Sequence, residues 1–176
     1  MSAGVYMLKT LRDRGLKAVI FEAGNDLGGT WRWNCYPGAA VDSEVPEYEF
    51  SWPEVYNTWA WPSNYPTYQD LRDYFDHVDK VMQIKKDCAF HTVVVGAEFE
   101  TSEGKWHIRT ADGRTTKAAY LVLGTGFVST VQLGLSCLQP CDANGTTHEL
   151  GCEAVHPRMA RDGKVQGYHS PLLLLA

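Results

Sequence analysis

In the first fifteen residues Val5, Leu8 and Leu11 recur at helical spacing with Met7 beside them, while Lys9, Arg12, Asp13 and Arg14 fall largely elsewhere. This predicts a short amphipathic helix, and Gly15 stands where such a helix ends. Ala18-Val19-Ile20-Phe21 follows as an unbroken apolar run closed by Glu22, the pattern of a buried parallel strand. The helical period returns from Asp70 to Met82, where Leu71, Tyr74, Phe75, Val78 and Met82 form an apolar stripe between Asp, Arg and Lys positions. Phe90 to Phe99, Trp106 to Thr110 and Ala118 to Leu123 read as strands, with Glu103-Gly104 and Asp112-Gly113 as turns between them. Together they predict a small antiparallel ribbon that returns to the main sheet, with His91 and His107 as packing or surface residues within it.

Between the first strand and the second long helix the period is lost. Trp31 to Phe75 holds thirteen aromatic residues spread among prolines 37, 46, 53, 62 and 66, which predicts a compact irregular excursion. Trp52, Trp59 and Trp61 are expected to pack within that layer. After Phe127 neither helix nor strand period is sustained, so residues 1–127 are expected to form the ordered domain and 128–176 a poorly ordered tail. The Leu172 to Leu175 run is too short to span a bilayer. Cys137, Cys141, His148, Cys152 and His156 have spacings that match no strong zinc-finger pattern, so no metal site is expected.

Composition narrows the choice of partner. With 44% hydrophobic and 21% charged residues among 176, the chain is an ordinary globular protein rather than a disordered one. A net charge of −5 provides no basic field for nucleic acid or an anionic membrane, which favours a small-molecule partner. Five cysteines at irregular spacing favour free thiols and a reducing compartment, and no secretory signal is visible; the expected location is the cytoplasm.

The run Gly28-Gly29-Thr30-Trp31-Arg32-Trp33-Asn34-Cys35-Tyr36-Pro37-Gly38 has no regular period. Its glycines allow close approach of backbone to a ligand, and Trp31 and Trp33 offer flat apolar walls to something planar. Glycines and tryptophans alone serve equally a cofactor-gripping loop and an aromatic loop packed on its own domain. Upstream, a helix, a Gly turn, a strand and a terminal acid form the second half of a dinucleotide-binding βαβ unit, which makes Glu22 the candidate partner of a ribose hydroxyl. In that unit only Gly4 can stand for the third glycine of the G-x-G-x-x-G fingerprint, and the first strand and its turn are not in the sequence.

GGTWRWNCYPGAAVDSEVPEY, preceded by KAVIFEAG, resembles the FAD-binding segment of class B flavin monooxygenases, most closely the Baeyer–Villiger monooxygenases. The resemblance runs from Gly4 to about Phe127. It implies an α/β fold: a partial Rossmann-like FAD-binding domain with an antiparallel β-ribbon and the first βα unit largely missing. It also implies FAD and NADPH as cofactors, and insertion of one oxygen atom from dioxygen into a small ketone. By resemblance Glu22, Gly29, Thr30, Trp31, Arg32 and Trp33 hold the flavin nucleotide, Asp42 and Ser43 lie near its reactive edge, Tyr48 backs it, and a backbone group near Val94 meets the adenine. Asp42 is the candidate catalytic residue, tuning charge beside the flavin while paired with an arginine from an NADPH domain. That domain's G-x-G-x-x-G, and the F-x-G-x-x-x-H-x-x-x-W signature that precedes it, are not found after Phe127. The expectation is therefore a truncated or frame-altered member, or a non-catalytic remnant or partner subunit completed by a second chain. A flavin hydroxylase acting on nitrogen or sulfur is the other enzymatic reading; a flavin disulfide reductase is disfavoured because Cys35 has no second cysteine at redox-motif spacing.

Overall fold

A computed structural model describes residues 2–126 together with the backbone of two later strands, 165–168 and 172–175. In chain order the elements are helix α1 (Ser2–Asp13), strand β1 (Ala18–Phe21), the one-turn helices α2 (Thr30–Trp33) and α3 (Pro53–Tyr56), and helix α4 (Tyr68–Met82). Strands β2 (Cys88–Ala89), β3 (Val94–Glu100), β4 (Lys105–Thr110), β5 (Thr115–Ala118), β6 (Tyr120–Leu123), β7 (Val165–Tyr168) and β8 (Leu172–Leu175) follow. They form two four-stranded sheets, ordered β2-β1-β8-β6 and β5-β4-β3-β7.

Strand β1 is covered on both faces, which is why it has no polar alternation. Ile20 and Ala18 belong with Val5, Leu8 and Leu11 of α1 and with Tyr74, Phe75 and Val78 of α4. Val19 and Phe21 face the other way, into a smaller core with Val94, Ala97, Ile108 and Ala118 of the antiparallel sheet. The molecule is thus layered as helices, first sheet and second sheet, with β1 in the middle layer. Arg12 fastens α1 to the end of α4: its Nε donates to Asp87 at 2.7 Å, and its terminal nitrogens donate to the Met82 and Gln83 carbonyls at 3.0 and 2.9 Å.

The two predicted helices and the first strand are present. Helix α4 begins at Tyr68, ahead of the expected Asp70, because Thr67 and Asp70 form a capping box: Thr67 Oγ1 accepts the Asp70 N–H and the Asp70 carboxylate accepts the Thr67 N–H. The strand expected over Phe90–Phe99 starts instead at Val94, since His91, at φ 52°, and Thr92 turn their N–H groups to Gly24 and Glu22. The strand expected over Ala118–Leu123 is two: β5 pairs with β4, and beyond Ala119 the chain crosses to the first sheet as β6. The parallel pair β1–β2 is too short to leave a sequence pattern.

The tail 128–176 lies outside the described residues apart from β7 and β8. Those two stretches are strands where none was expected: β7 pairs with β3, and β8 pairs with β1 and β6. The zinc-knot residues Cys137, Cys141, His148, Cys152 and His156 also lie outside the described residues. Among those described, no cluster of metal-ligating side chains occurs and no helix is long and apolar enough to cross a membrane.

Candidate functional site

The carboxyl ends of the parallel strands β1 and β2 come together at Glu22. Its backbone is pinned on both sides: Glu22 N–H donates to Ala89 O at 3.0 Å, Thr92 N–H to Glu22 O at 2.9 Å, and His91 N–H to Gly24 O at 2.9 Å. The side chain is only 1% exposed. Its Oε1 accepts the Gly24 N–H at 2.7 Å, while its Oε2 has no hydrogen-bond partner among the described residues. Burial raises the carboxyl pKa, and the Gly24 N–H opposes that shift. A Cβ added at Gly24 would lie 3.1 Å from Glu22 Oε1 and 3.5 Å from Trp33, so the glycine lets the chain pass between the acid and the indole.

From there the loop doubles back. Gly28 at φ 121° and Gly29 at φ 54° set up the turn into α2, where the Trp31 and Arg32 N–H groups donate to the Gly28 and Gly29 carbonyls. Arg32 Nε donates to Asn25 Oδ1 at 2.6 Å, and among the described residues the two terminal nitrogens of Arg32 have no protein acceptor. Lys85, just beyond α4, pairs with Asp26 at 2.8 Å and ties the loop to the helical layer. Trp31 meets Tyr48 edge-on, ring centroids 6.1 Å apart. The Tyr48 phenol is shifted up by burial and then by the charges of Asp42 and Glu47, which sets Asp42 beside that aromatic pair.

The expected residues therefore fall into two neighbouring groups. Glu22, Gly29, Thr30, Arg32 and Trp33 line the inner turn. Trp31 and Tyr48 meet beside the exposed Asp42 and make up an outer rim, and Ser43, the next residue in the chain, is half-buried. Val94 is 3% exposed in the core between the sheets, and its backbone stands in β3 opposite Thr110 of β4 and Tyr168 of β7. Gly4 is buried in the first turn of α1. Trp52 is a core residue, and Trp59 and Trp61 pack against the core. Sequence reasoning missed Asn25 and Lys85; the Asn25-Asp26 pair carried a turn signal, but its partners at 32 and 85 did not.

No protein-family model matches the chain. It is 60% identical over 127 residues to the FAD-binding monooxygenase acrE of Aspergillus aculeatus, a match covering 72% of this chain and 21% of that protein. It is 34% identical over 128 residues to a Baeyer-Villiger monooxygenase of Pseudooceanicola batsensis, covering 72% and 24%. Over its matched residues the chain is homologous to FAD-binding monooxygenases, Baeyer–Villiger monooxygenases among them. Among solved structures, cyclohexanone monooxygenase from Rhodococcus sp. Phi1 bound to NADP+ superposes with a TM-score of 0.63 at 31% identity, covering 66% of this chain and 22% of that one. The chain thus spans about a fifth to a quarter of the length of these relatives. The α/β fold with its antiparallel ribbon is the one they share.

Proposed function

We propose that this chain forms the flavin-holding part of an FAD-dependent, NADPH-using monooxygenase that inserts one oxygen atom from dioxygen into a ketone, working in the cytoplasm. The observation that carries the reading is the Glu22 carboxylate, buried at the carboxyl end of a parallel strand with one oxygen tied to Gly24 N–H and the other without a donor among the described residues. A carboxylate fixed on one side and open on the other fits the hydroxyl donors of a nucleotide ribose. Such a donor would offset the desolvation that otherwise favours the protonated acid. When bound, FAD supplies the redox chemistry with dioxygen that no side chain here can provide.

The residues around Glu22 suit the rest of that ligand. Arg32, steadied by Asn25, would offer its terminal N–H groups to an anionic group. Gly29, Thr30 and the backbone near Gly4 and Val94 would border the nucleotide, and Trp31, Trp33 and Tyr48 would wall the planar ring. Asp42 and Ser43 would stand at the outer edge, where the Asp42 charge already acts on Tyr48 and would act on a ring placed there. The matched structure's name, cyclohexanone monooxygenase bound to NADP+, supports a ketone and NADPH over hydroxylation of nitrogen or sulfur. Free thiols at Cys35 and Cys88 support the cytoplasm.

Titration with FAD, followed by flavin fluorescence, tests the reading. Glu22→Gln should weaken binding about tenfold to a hundredfold, since a hydrogen bond to a charged group contributes about 1.5–3 kcal/mol. Equal affinity in variant and parent would remove Glu22 from the site. Asp42→Ala should leave FAD bound; loss of flavin would make Asp42 an anchor and not a tuner of charge.

A further inference from the structure

The turn after Glu22 carries a carboxylate and a guanidinium that bond to different partners. Arg32 Nε donates to Asn25 Oδ1 at 2.6 Å, and a Cβ built on Gly28 would lie 3.5 Å from the Arg32 Cβ, so residues 25–28 run beside Arg32. Asp26 is the residue after Asn25, its Cα about 3.8 Å further along the chain. A forked guanidinium and a carboxylate in such a neighbourhood pair readily, often through two parallel bonds. Yet among the described residues the terminal nitrogens of Arg32 have no protein acceptor. Asp26 is engaged elsewhere: its Oδ1 accepts the Leu27 N–H at 2.8 Å and Lys85 Nζ at 2.8 Å.

That engagement is built from the helical layer. Gln83, at φ 51°, closes α4, and Ile84 is fully buried in the larger core. Lys85 N–H then donates to Asp79 Oδ1 at 2.7 Å, and Lys85 Nζ donates to Asp76 Oδ1 at 2.8 Å. The lysine is therefore fixed to α4 by main chain and side chain as it reaches Asp26. Partial burial works against its charge, but the bonds to Asp26 and Asp76 outweigh that effect and raise its pKa above the ordinary lysine value.

We propose that Lys85 is a positioning residue for anion binding: by holding the Asp26 carboxylate it keeps that carboxylate off Arg32 and leaves the guanidinium open to the diphosphate of a flavin nucleotide. The inference rests on the reading of this loop as nucleotide-holding. A carboxylate tethered six residues from Arg32 is a competitor at high effective concentration, and its charge would repel a dianion approaching the same fork. Lys85 removes both obstacles from a distance, acting through Asp26. A plain pin for the loop would behave differently, because loss of either partner of the ion pair would then do the same harm.

The test compares the full-length parent with Lys85→Met, Asp26→Asn and the double variant. FAD is titrated by flavin fluorescence. In the ligand-free proteins the rate of phenylglyoxal modification at Arg32 is followed by peptide mapping, since a guanidinium paired with a carboxylate reacts more slowly. Lys85→Met should bind FAD about tenfold more weakly, as expected when a charge-assisted bond is diverted, and its Arg32 should react more slowly. Asp26→Asn and the double variant should match the parent in both readouts. Asp26→Asn binding as weakly as Lys85→Met would make the ion pair a pin and overturn the proposal, as would parent-like affinity in Lys85→Met. A parent that binds no FAD overturns the nucleotide reading, and the modification rates then decide the role of Lys85 by themselves: slowing in Lys85→Met that recovers in the double variant supports it, and equal rates overturn it.

Discussion

Replacing Tyr74 with Phe removes one oxygen atom and keeps the ring. Tyr74 is fully buried, and its hydroxyl oxygen accepts the Phe50 N–H at 2.7 Å. The ring lies among Trp61, Trp59, Phe50 and Phe75 with centroid separations of 4.7, 5.6, 6.0 and 6.1 Å, contacts that Phe retains. What is lost is one buried acceptor, which leaves the Phe50 N–H unsatisfied at a cost of about 1–3 kcal/mol. For a domain of this size that corresponds to a fall in melting temperature of roughly 3–12 °C. Because Phe50 is two residues beyond Tyr48, the same change should loosen the outer rim of the site. Burial holds the Tyr74 phenol up at about 12, against the opposing effect of its backbone bond. The folded state therefore keeps a proton that the unfolded chain releases above about pH 10, so the parent should lose stability as pH rises between about 10 and about 12 while Tyr74→Phe lacks that slope. Thermal melts of both proteins from neutral to alkaline pH are the assay. Melting within about 1 °C of the parent at neutral pH, set against the roughly 3 °C or more that 1 kcal/mol produces in a domain of this size, would refute the reasoning.

Two further outcomes follow from the same kind of accounting. Arg12→Ala strips the end of α4 of the Asp87 ion pair and of donors to two carbonyls, and should destabilise by about 2–4 kcal/mol in urea denaturation; a midpoint equal to the parent's would show that α1 and α4 are held by apolar packing alone. Glu22→Gln removes a carboxyl whose folded pKa is raised by burial: the folded parent retains a proton that the unfolded chain loses, so its stability falls as pH rises from the unfolded value through the raised folded one. The variant should lose that fall and be the more stable apoprotein at neutral pH, and parallel melts from pH 4 to 8 that decline identically would contradict it.

The elements that could be read from the sequence are those whose partners do not matter to the pattern. Helix α1, strand β1 and helix α4 carry their burial in their own periodicity, and the two-sided cover of β1 was visible as an unbroken apolar run. The boundaries that moved were set by distant contacts: His91 and Thr92 bend away from β3 because Gly24 and Glu22 accept their N–H groups, and β6 parts from β5 because it finds its partner in β8, fifty residues on. The same holds for the site. Glu22 and the Gly28–Trp33 loop announced themselves by residue type, whereas Asn25 and Lys85 matter through single polar contacts to residues that no spacing rule connects. The antiparallel seating of Leu172–Leu175 depends on an open slot between two strands, and a uniform leucine run carries no information about direction.

Hydrogen exchange of the chain with and without saturating FAD tests the central claim most directly. The account predicts added protection of the backbone from Glu22 to Trp33, with the β4–β5 hairpin unchanged as an internal reference. Saturation with FAD that leaves Glu22 to Trp33 exchanging at the apoprotein rate would contradict it.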